Sequence, residues 1–186
     1  MVPTSLQSVW SAGPKAPDMT KRASLLALLA AGASAMTCPG SSAWITHASC
    51  ELTLTFAESC AAVRTEIADR AAGKGGWTDP HNGGRYTITA QSESELDGQR
   101  VTGDGKYTDK FVYAFAATTG SAGCTVTACS ESQVTSYLDF STNYCNLKDL
   151  YCNSADGCAV ATHDLTYEES VGDCSASDFS QCLVSN

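Results

Sequence analysis

The chain has 186 residues, with 11 basic against 20 acidic side chains and a formal net charge of −9. An acidic surface of this kind repels phosphate backbones and excludes nucleic acid as a partner. Ten Cys, an even number, read as a disulfide framework rather than as thiol chemistry once a secretory leader precedes them.

Such a leader is legible. Lys21-Arg22 precede an apolar run from Ala23 to Ala33, and Ala33-Ser34-Ala35 gives a small-residue exit. Basic start, short apolar core and A-x-A exit predict a signal peptide over residues 19–35. The run is too short to span a membrane. Met19 stands just before it, so residues 1–18 are read as a mis-annotated start, or else as a genuine extension. Three of the four charges before Ala35 are basic, so the part that remains, residues 36–186, is more acidic still. It is long enough for one domain and predicts a protein outside the cytosol, secreted or in the secretory-pathway lumen, with no membrane span after cleavage.

Residues 36–47 read as an irregular lead-in, with Pro39-Gly40 as a turn. In Glu51–Phe56, Leu52, Leu54 and Phe56 alternate as in a strand, and Thr55-x-x-Glu58 offers a capping box. Cys60, Val63, Ile67 and Ala71 then recur at helical spacing, with Arg64, Glu66, Asp69 and Arg70 placed opposite and Gly73 as the stop. This predicts one main helix over residues 56–72. Gly75–Gly84 is dense in turn formers. Trp77 and His81 are either exposed recognition groups there or, for Trp77, folded back onto the core.

Arg85–Thr118 predicts a long β-hairpin. Tyr86, Ile88 and Ala90 share one face on the way up, and Phe111, Tyr113 and Phe115 share one on the way back. The polar stretch Leu96–Gly105 is its expected tip. Cys124–Ala128, Val134–Phe140 and Ala159–Tyr167 are further candidate strands, with Tyr144–Cys158 a stapled excursion and Asp173–Asn186 a tail. The fold class is α+β, one main helix packed on an antiparallel β-meander and stabilised by disulfides.

All ten Cys lie after the leader: Cys38, Cys50, Cys60, Cys124, Cys129, Cys145, Cys152, Cys158, Cys174 and Cys182. Three precede the hairpin and seven follow it, so if all pair, at least one bridge joins the two ends across it. The shortest, Cys60 to Cys124, is worth ~4 kcal/mol in the chain-entropy picture.

The residues give little chemistry. Cys152-x5-Cys158-x4-His163 only loosely approaches a zinc spacing, and disulfides account for its Cys. The acidic stretch around Asp104 and Asp109 lacks the alternating oxygen ligands of a calcium loop. There is no Gly-x-Ser-x-Gly elbow, and His163-Asp164 on a strand would point to opposite faces. Paired carboxylates for hydrolysis are possible in so acidic a chain, but nothing in the sequence singles out a pair. No cofactor or metal is implied.

One motif is sharper. Gln99-x-Val101-x-Gly103 matches the Q-x-V-x-G signature of cystatins, inhibitors of papain-like cysteine proteases. The order also resembles theirs, with Gly40 in an amino-terminal segment, then a helix, a strand and the signature hairpin. The resemblance implies a cystatin-like roll and a wedge. In it, the tip at Gln99, Val101 and Gly103 enters the cleft of a cysteine protease and the strip around Gly40 lies along its non-primed side. The chain departs from cystatins in lacking the second hairpin's Pro-Trp and in carrying ten Cys. A second resemblance is to small secreted Cys-rich proteins of unknown function. It rests on Trp77-x-Asp79-Pro80-His81-Asn82, on Thr102-Gly103-Asp104-x-Lys106-Tyr107-Thr108-Asp109-Lys110 and on Thr142-Asn143-Tyr144-Cys145-Asn146.

The expected function is a secreted, non-enzymatic binding module, in its sharp form a cystatin-like inhibitor whose partner is a cysteine protease. The alternative is a small secreted enzyme or ligand carrier with a cavity between helix and sheet.

Overall fold

The computed structural model describes residues 37–136 and 138–183, which belong to one compact unit; the expected signal peptide at 19–35 and the segment 1–18 lie outside the described residues. Six antiparallel strands form one sheet: β1 Ser49–Phe56, β2 Arg85–Gln91, β3 Glu95–Val101, β4 Thr108–Ala117, β5 Cys124–Ser132 and β6 Tyr167–Cys174. Their order across the sheet is β2-β3-β4-β5-β1-β6. Helix α1 is Cys60–Ala71 and helix α2 is Thr142–Lys148. The α+β class and its disulfide bracing are as expected. No helix among the described residues is long and apolar enough to cross a membrane.

The expected hairpin is a three-stranded meander. Its presumed tip is split, because Leu96–Val101 lies within β3 and only Thr102–Tyr107 turns. Strand β3 has few β-formers, yet its inward positions Leu96, Gly98 and Arg100 are all buried. Gly98 is there because a β-carbon at that position would overlap the Phe111 ring of the next strand. Packing against β4 therefore sets this strand, where local propensity would not.

Three further expectations are corrected. The described residues of Val134–Phe140 form no strand, and Leu138 and Phe140 stand exposed among them. The last strand is not Ala159–Tyr167 but β6, which begins at Tyr167 and pairs with β1 at the sheet edge. Helix α1 starts later than expected, capped by Ser59, whose Oγ accepts from the Ala62 N–H, not by a box at Thr55. Glu58 instead accepts from the Thr166 backbone N–H.

Five bridges close the framework: Cys38–Cys129, Cys50–Cys174, Cys60–Cys124, Cys145–Cys182 and Cys152–Cys158. All three early Cys reach across the meander. The inner face of the sheet grades from apolar to polar. Leu54, Phe115 and Val126 share one end and pack with Val63 and Ile67 of α1 in a single buried cluster with Phe111 and Tyr113. These side chains fill the middle of the space between helix and sheet, and a cavity opens beside it, between Arg70–Gly73 at the end of α1 and Arg85–Tyr86 at the start of β2. At the other end the register aligns Tyr86, Arg100, Asp109 and Ser132 in one row across four strands, all buried. Helix α2 and the loop Trp77–Gly84 cover this polar row.

Candidate functional site: a buried acid pair beside Trp77

The loop after α1 is organised by one carboxylate. Asp79 accepts from the Gly84 backbone N–H at 2.5 Å, and more weakly from those of His81 and Asn82 at 3.4 and 3.5 Å. It also takes the Arg100 Nη2 at 2.5 Å, with both side chains fully out of solvent. Arg100 donates to Asn82 Oδ1 at 2.7 Å as well, and its guanidinium lies 5.7 Å from the Tyr86 ring centre. Gly84 is required here, since a β-carbon on it would come within 2.5 Å of that guanidinium. Trp77 folds back onto the core edge-on to Tyr86, with centroids 5.8 Å apart. Its aromatic wall borders the cavity described next.

Asp149 caps the carboxyl end of α2. Its side chain is buried, and neither carboxyl oxygen receives a hydrogen bond from any described residue. The group beside it is the Asp79 carboxyl, which serves as a partner only when one of the two acids keeps its proton. Burial pushes the Asp149 acid well above the ordinary aspartate range, and the Asp79 charge pushes it further; Arg100 and Arg70 only partly oppose this. Asp79 is held by Arg100, and the raised acid is Asp149. Both acids line a cavity of about 460 Å³ with Trp77, Asn82, the Cys152–Cys158 bridge and Leu183. That volume lies within the range of small-molecule sites.

Arg70 anchors the back of Asp149. Its Nη1 donates to the Asp149 carbonyl at 3.0 Å and its Nε to Glu66 at 2.6 Å. Glu66 and Arg70, placed by helical spacing on the outer side, are therefore inside, both fully buried. The reason is the segment they meet. Glu66 accepts the backbone N–H groups of Ala161, Thr162 and His163 at 2.8, 2.7 and 2.6 Å, donors that no strand partner satisfies. These bonds and Arg70 outweigh burial and hold the Glu66 carboxyl below its ordinary range.

The three segments that resemble other small secreted proteins converge at this end. His81 Nε2 lies 3.3 Å from Thr142 Oγ1, and the Gly103 N–H reaches Asn82 Oδ1 at 3.4 Å. Asn146 Nδ2 donates to Asp109 at 2.8 Å. His81 is half-buried and also contacts the Gln181 carbonyl at 2.6 Å; burial holds it below the usual histidine range, so it is a neutral structural link.

The residues singled out by sequence fall elsewhere. Gln99 pairs with Thr87 and Lys110, and Val101 with Arg85 and Thr108, so both belong to a strand laddered on both sides. Gly103 sits in the β3–β4 turn, where a β-carbon would overlap the Asn82 carbonyl. Gly40 lies on the segment tied down by Cys38–Cys129, and its carbonyl accepts from Gln133 Nε2 at 3.0 Å. Pro39 and Gln99 do share one shallow hollow on the back of the sheet. Cys152 and Cys158 are bonded to each other, so neither offers a thiolate to a metal. Sequence reasoning missed Asp79, Arg100 and Asp149. Only the Trp77–Asn82 motif pointed toward them, and nothing local marks Asp149. No family model, no curated protein and no solved structure matches this chain.

Proposed function

We propose that this protein is a secreted or lumenal, non-enzymatic binding module whose ligand occupies the cavity between Trp77–Gly84 and Asp149–Ala159. The observation that carries this reading is the cavity itself, about 460 Å³ walled by Trp77, Asp79, Asn82, Asp149, the Cys152–Cys158 bridge and Leu183. Five bridges around a site built from three distant segments give the rigidity that pre-organised binding needs. Hydrolysis of a glycosidic bond asks for two carboxyls about 5–10 Å apart on either side of a bond. Here Asp79 is already engaged by Arg100 and the Gly84 N–H, and Asp149 is buried with its acid raised above the ordinary aspartate range, which favours binding over catalysis.

The test is a small-fragment screen on the oxidised protein, read from the Trp77 indole and Asp149 amide signals in two-dimensional NMR. Saturable shifts at both sites, lost in Asp149→Leu, support the cavity as the binding site. A well-dispersed protein in which no fragment moves either signal would overturn it. The inhibitor form of the module rests on Gln99, Val101 and Gly103 and has its own test. Tight inhibition of papain, abolished by Val101→Asp, would move the working surface to that segment.

A further inference from the structure

Two segments far apart in sequence run side by side just past the end of β5. Ser42 Oγ donates to the Gln133 carbonyl at 2.7 Å, and the Ser136 N–H donates to the Thr46 carbonyl at 3.2 Å. Around these ties the chain turns large apolar side chains into solvent. Trp44 is 96% exposed, Ile45 63%, Leu138 77% and Phe140 73%, and Tyr107 of the β3–β4 turn is 52% exposed. Together they offer on the order of 600 Å² of surface, at the upper end of what a monomer leaves in water as one apolar patch. Tyr107, Leu138 and Phe140 line a hollow of about 290 Å³ that shares no residue with the Trp77 cavity.

Packing does not explain Phe140. Its φ is 47° and that of Ser141 is 65°, the only positive values outside glycine among the described residues. Such a backbone suits glycine, and a β-carbon makes it unfavourable. The turn is held from beneath. Asp139 accepts the N–H groups of Ser141 and Asn143 at 3.2 and 3.3 Å, and Ser141 Oγ accepts that of Asp178 at 2.9 Å. A strained residue whose ring gains no burial points to a use outside the fold.

Charge around the hollow selects the occupant. Residues 41–48 and 133–142 contain no Lys or Arg, and Lys106 in the turn is paired with Asp104 at 2.9 Å. Asp109 and Asp139 line the hollow and are nearly out of solvent. Asp109 is bonded to Ser132 and Asn146 and Asp139 to the turn, so they act on an occupant through charge and not as free ligands. Two exposed rings above acid charge favour a cation between them. A second copy would bring its own acids to the same place, and the net charge of −9 opposes that pairing. Acyl chains would seal the two acids under hydrocarbon, where charge is costliest.

We propose that this face docks an extended segment of a partner protein in which a Lys or Arg stands among apolar residues. The cation lies between the Tyr107 and Phe140 rings, and its apolar neighbours cover Leu138, Ile45 and Trp44. The surface is separate from the ligand cavity and does not depend on it.

The experiment titrates the intact oxidised protein with nonapeptides that carry one or two Lys or Arg among Leu, Ile, Phe and Ser at every spacing, and with the same set carrying Glu in place of the cations. The Tyr107 amide signal is followed. Saturable binding of basic members is expected, roughly tenfold or more tighter than of their acidic counterparts and weakening as salt rises. Phe140→Gly should bind roughly tenfold or more weakly. It should melt no lower than the parent, because glycine accepts the left-handed backbone without a clash. Trp44→Ser, which removes a side chain standing in water, should also weaken binding and leave the melt in place. Variants that melt lower would make these side chains part of the fold and overturn the proposal. Equal binding of acidic and basic peptides would overturn the cation. Uptake by phosphatidylcholine vesicles in place of peptides would assign the face to a membrane. A concentration-dependent dimer in sedimentation, lost in Phe140→Gly, would assign it to a second copy. Either overturns the proposal, as does silence towards every peptide.

Discussion

Arg100 and Asp109 stand opposite each other in the β3–β4 register, yet they do not pair. Arg100 turns outward along the row to Asp79 and Asn82, while Asp109 takes Ser132 at 2.8 Å and Asn146 at 2.8 Å. The polar row at the end of the sheet is thereby divided into two systems. One, around Asp109, Ser130, Asn143 and Asn146, is internally bonded and ties α2 to the sheet. The other, around Arg100, holds the loop that forms one wall of the cavity.

The first prediction concerns that second system. Asp79→Ala leaves the Arg100 charge buried without its carboxylate and frees the Gly84 N–H as well. Removing one partner of a buried pair costs ~3–5 kcal/mol. Replacing both, as Asp79→Asn with Arg100→Met, should cost much less than the sum of the single changes. Denaturant midpoints of the four proteins measure this; equal and additive losses would show that the pair is not coupled.

A second prediction follows from the opposite pKa directions of Asp149 and Glu66. Asp149 is raised by burial and by Asp79, so the native state holds its proton where the unfolded chain has lost it. Stability is therefore lost as pH rises above the ordinary aspartate range and until the native acid itself ionises. Asp149→Asn should melt higher than the parent at neutral pH, and the gap should close toward pH ~3. Each ~1 kcal/mol reads as about 2–4 °C in a chain of this size. Glu66 has the reverse sign. Burial raises it, but the N–H groups of His163, Ala161 and Thr162 and the Arg70 guanidinium prevail. Its contribution is present above pH ~4.5 and lost as pH falls, so Glu66→Gln should destabilise at neutral pH and converge with the parent in acid. Melting curves across pH decide both, and a parallel offset at every pH would refute the assignment.

How far the sequence reaches is visible in β3 and α1. The α+β class, the apolar side of α1 at Val63 and Ile67 and the inward Phe111, Tyr113 and Phe115 follow from periodicity alone. The strand β3 does not, because its inward side is Leu96, Gly98 and Arg100, and only the neighbouring ring of Phe111 and the carboxylate of Asp79 give Gly and Arg a reason to be there. Glu66 and Arg70 read as a solvated face for the same reason. Their partners are backbone N–H groups and a carbonyl about 80–100 residues away, which no local pattern announces. The cavity acids share this fate. Asp79 belongs to a motif, but Asp149 gains its meaning only when α2 sets it beside Asp79.

Gly98 yields a third prediction. A methyl group added there must displace the Phe111 ring, which is buried among Tyr86, Tyr113 and its other core neighbours. Overpacking of this kind costs ~1–3 kcal/mol. Gly98→Ala should lower the denaturant midpoint accordingly, and Gly98→Ala with Phe111→Leu should recover part of the loss. A Gly98→Ala protein as stable as the parent would mean that the ring moves freely.

The bridges supply the last. Cys60–Cys124 ties the first turn of α1 to the start of β5 across 64 residues that include all of β2, β3 and β4. In the chain-entropy picture a loop of that length is worth ~4 kcal/mol, since the unfolded chain gains that freedom when the bridge is cut. Cys152–Cys158 spans only 6 residues and constrains the unfolded chain far less, yet it forms part of the cavity wall beside Asp149. Paired Cys→Ala variants should therefore separate stability from binding. Loss of Cys60–Cys124 should lower the melting temperature by about 8–16 °C at the slope given above and leave the Trp77 and Asp149 signals in place at low temperature. Loss of Cys152–Cys158 should cost less stability while shifting those two signals and weakening any ligand seen there. If the short bridge proves the larger stabiliser and the cavity signals ignore it, the wall it forms is not part of the site.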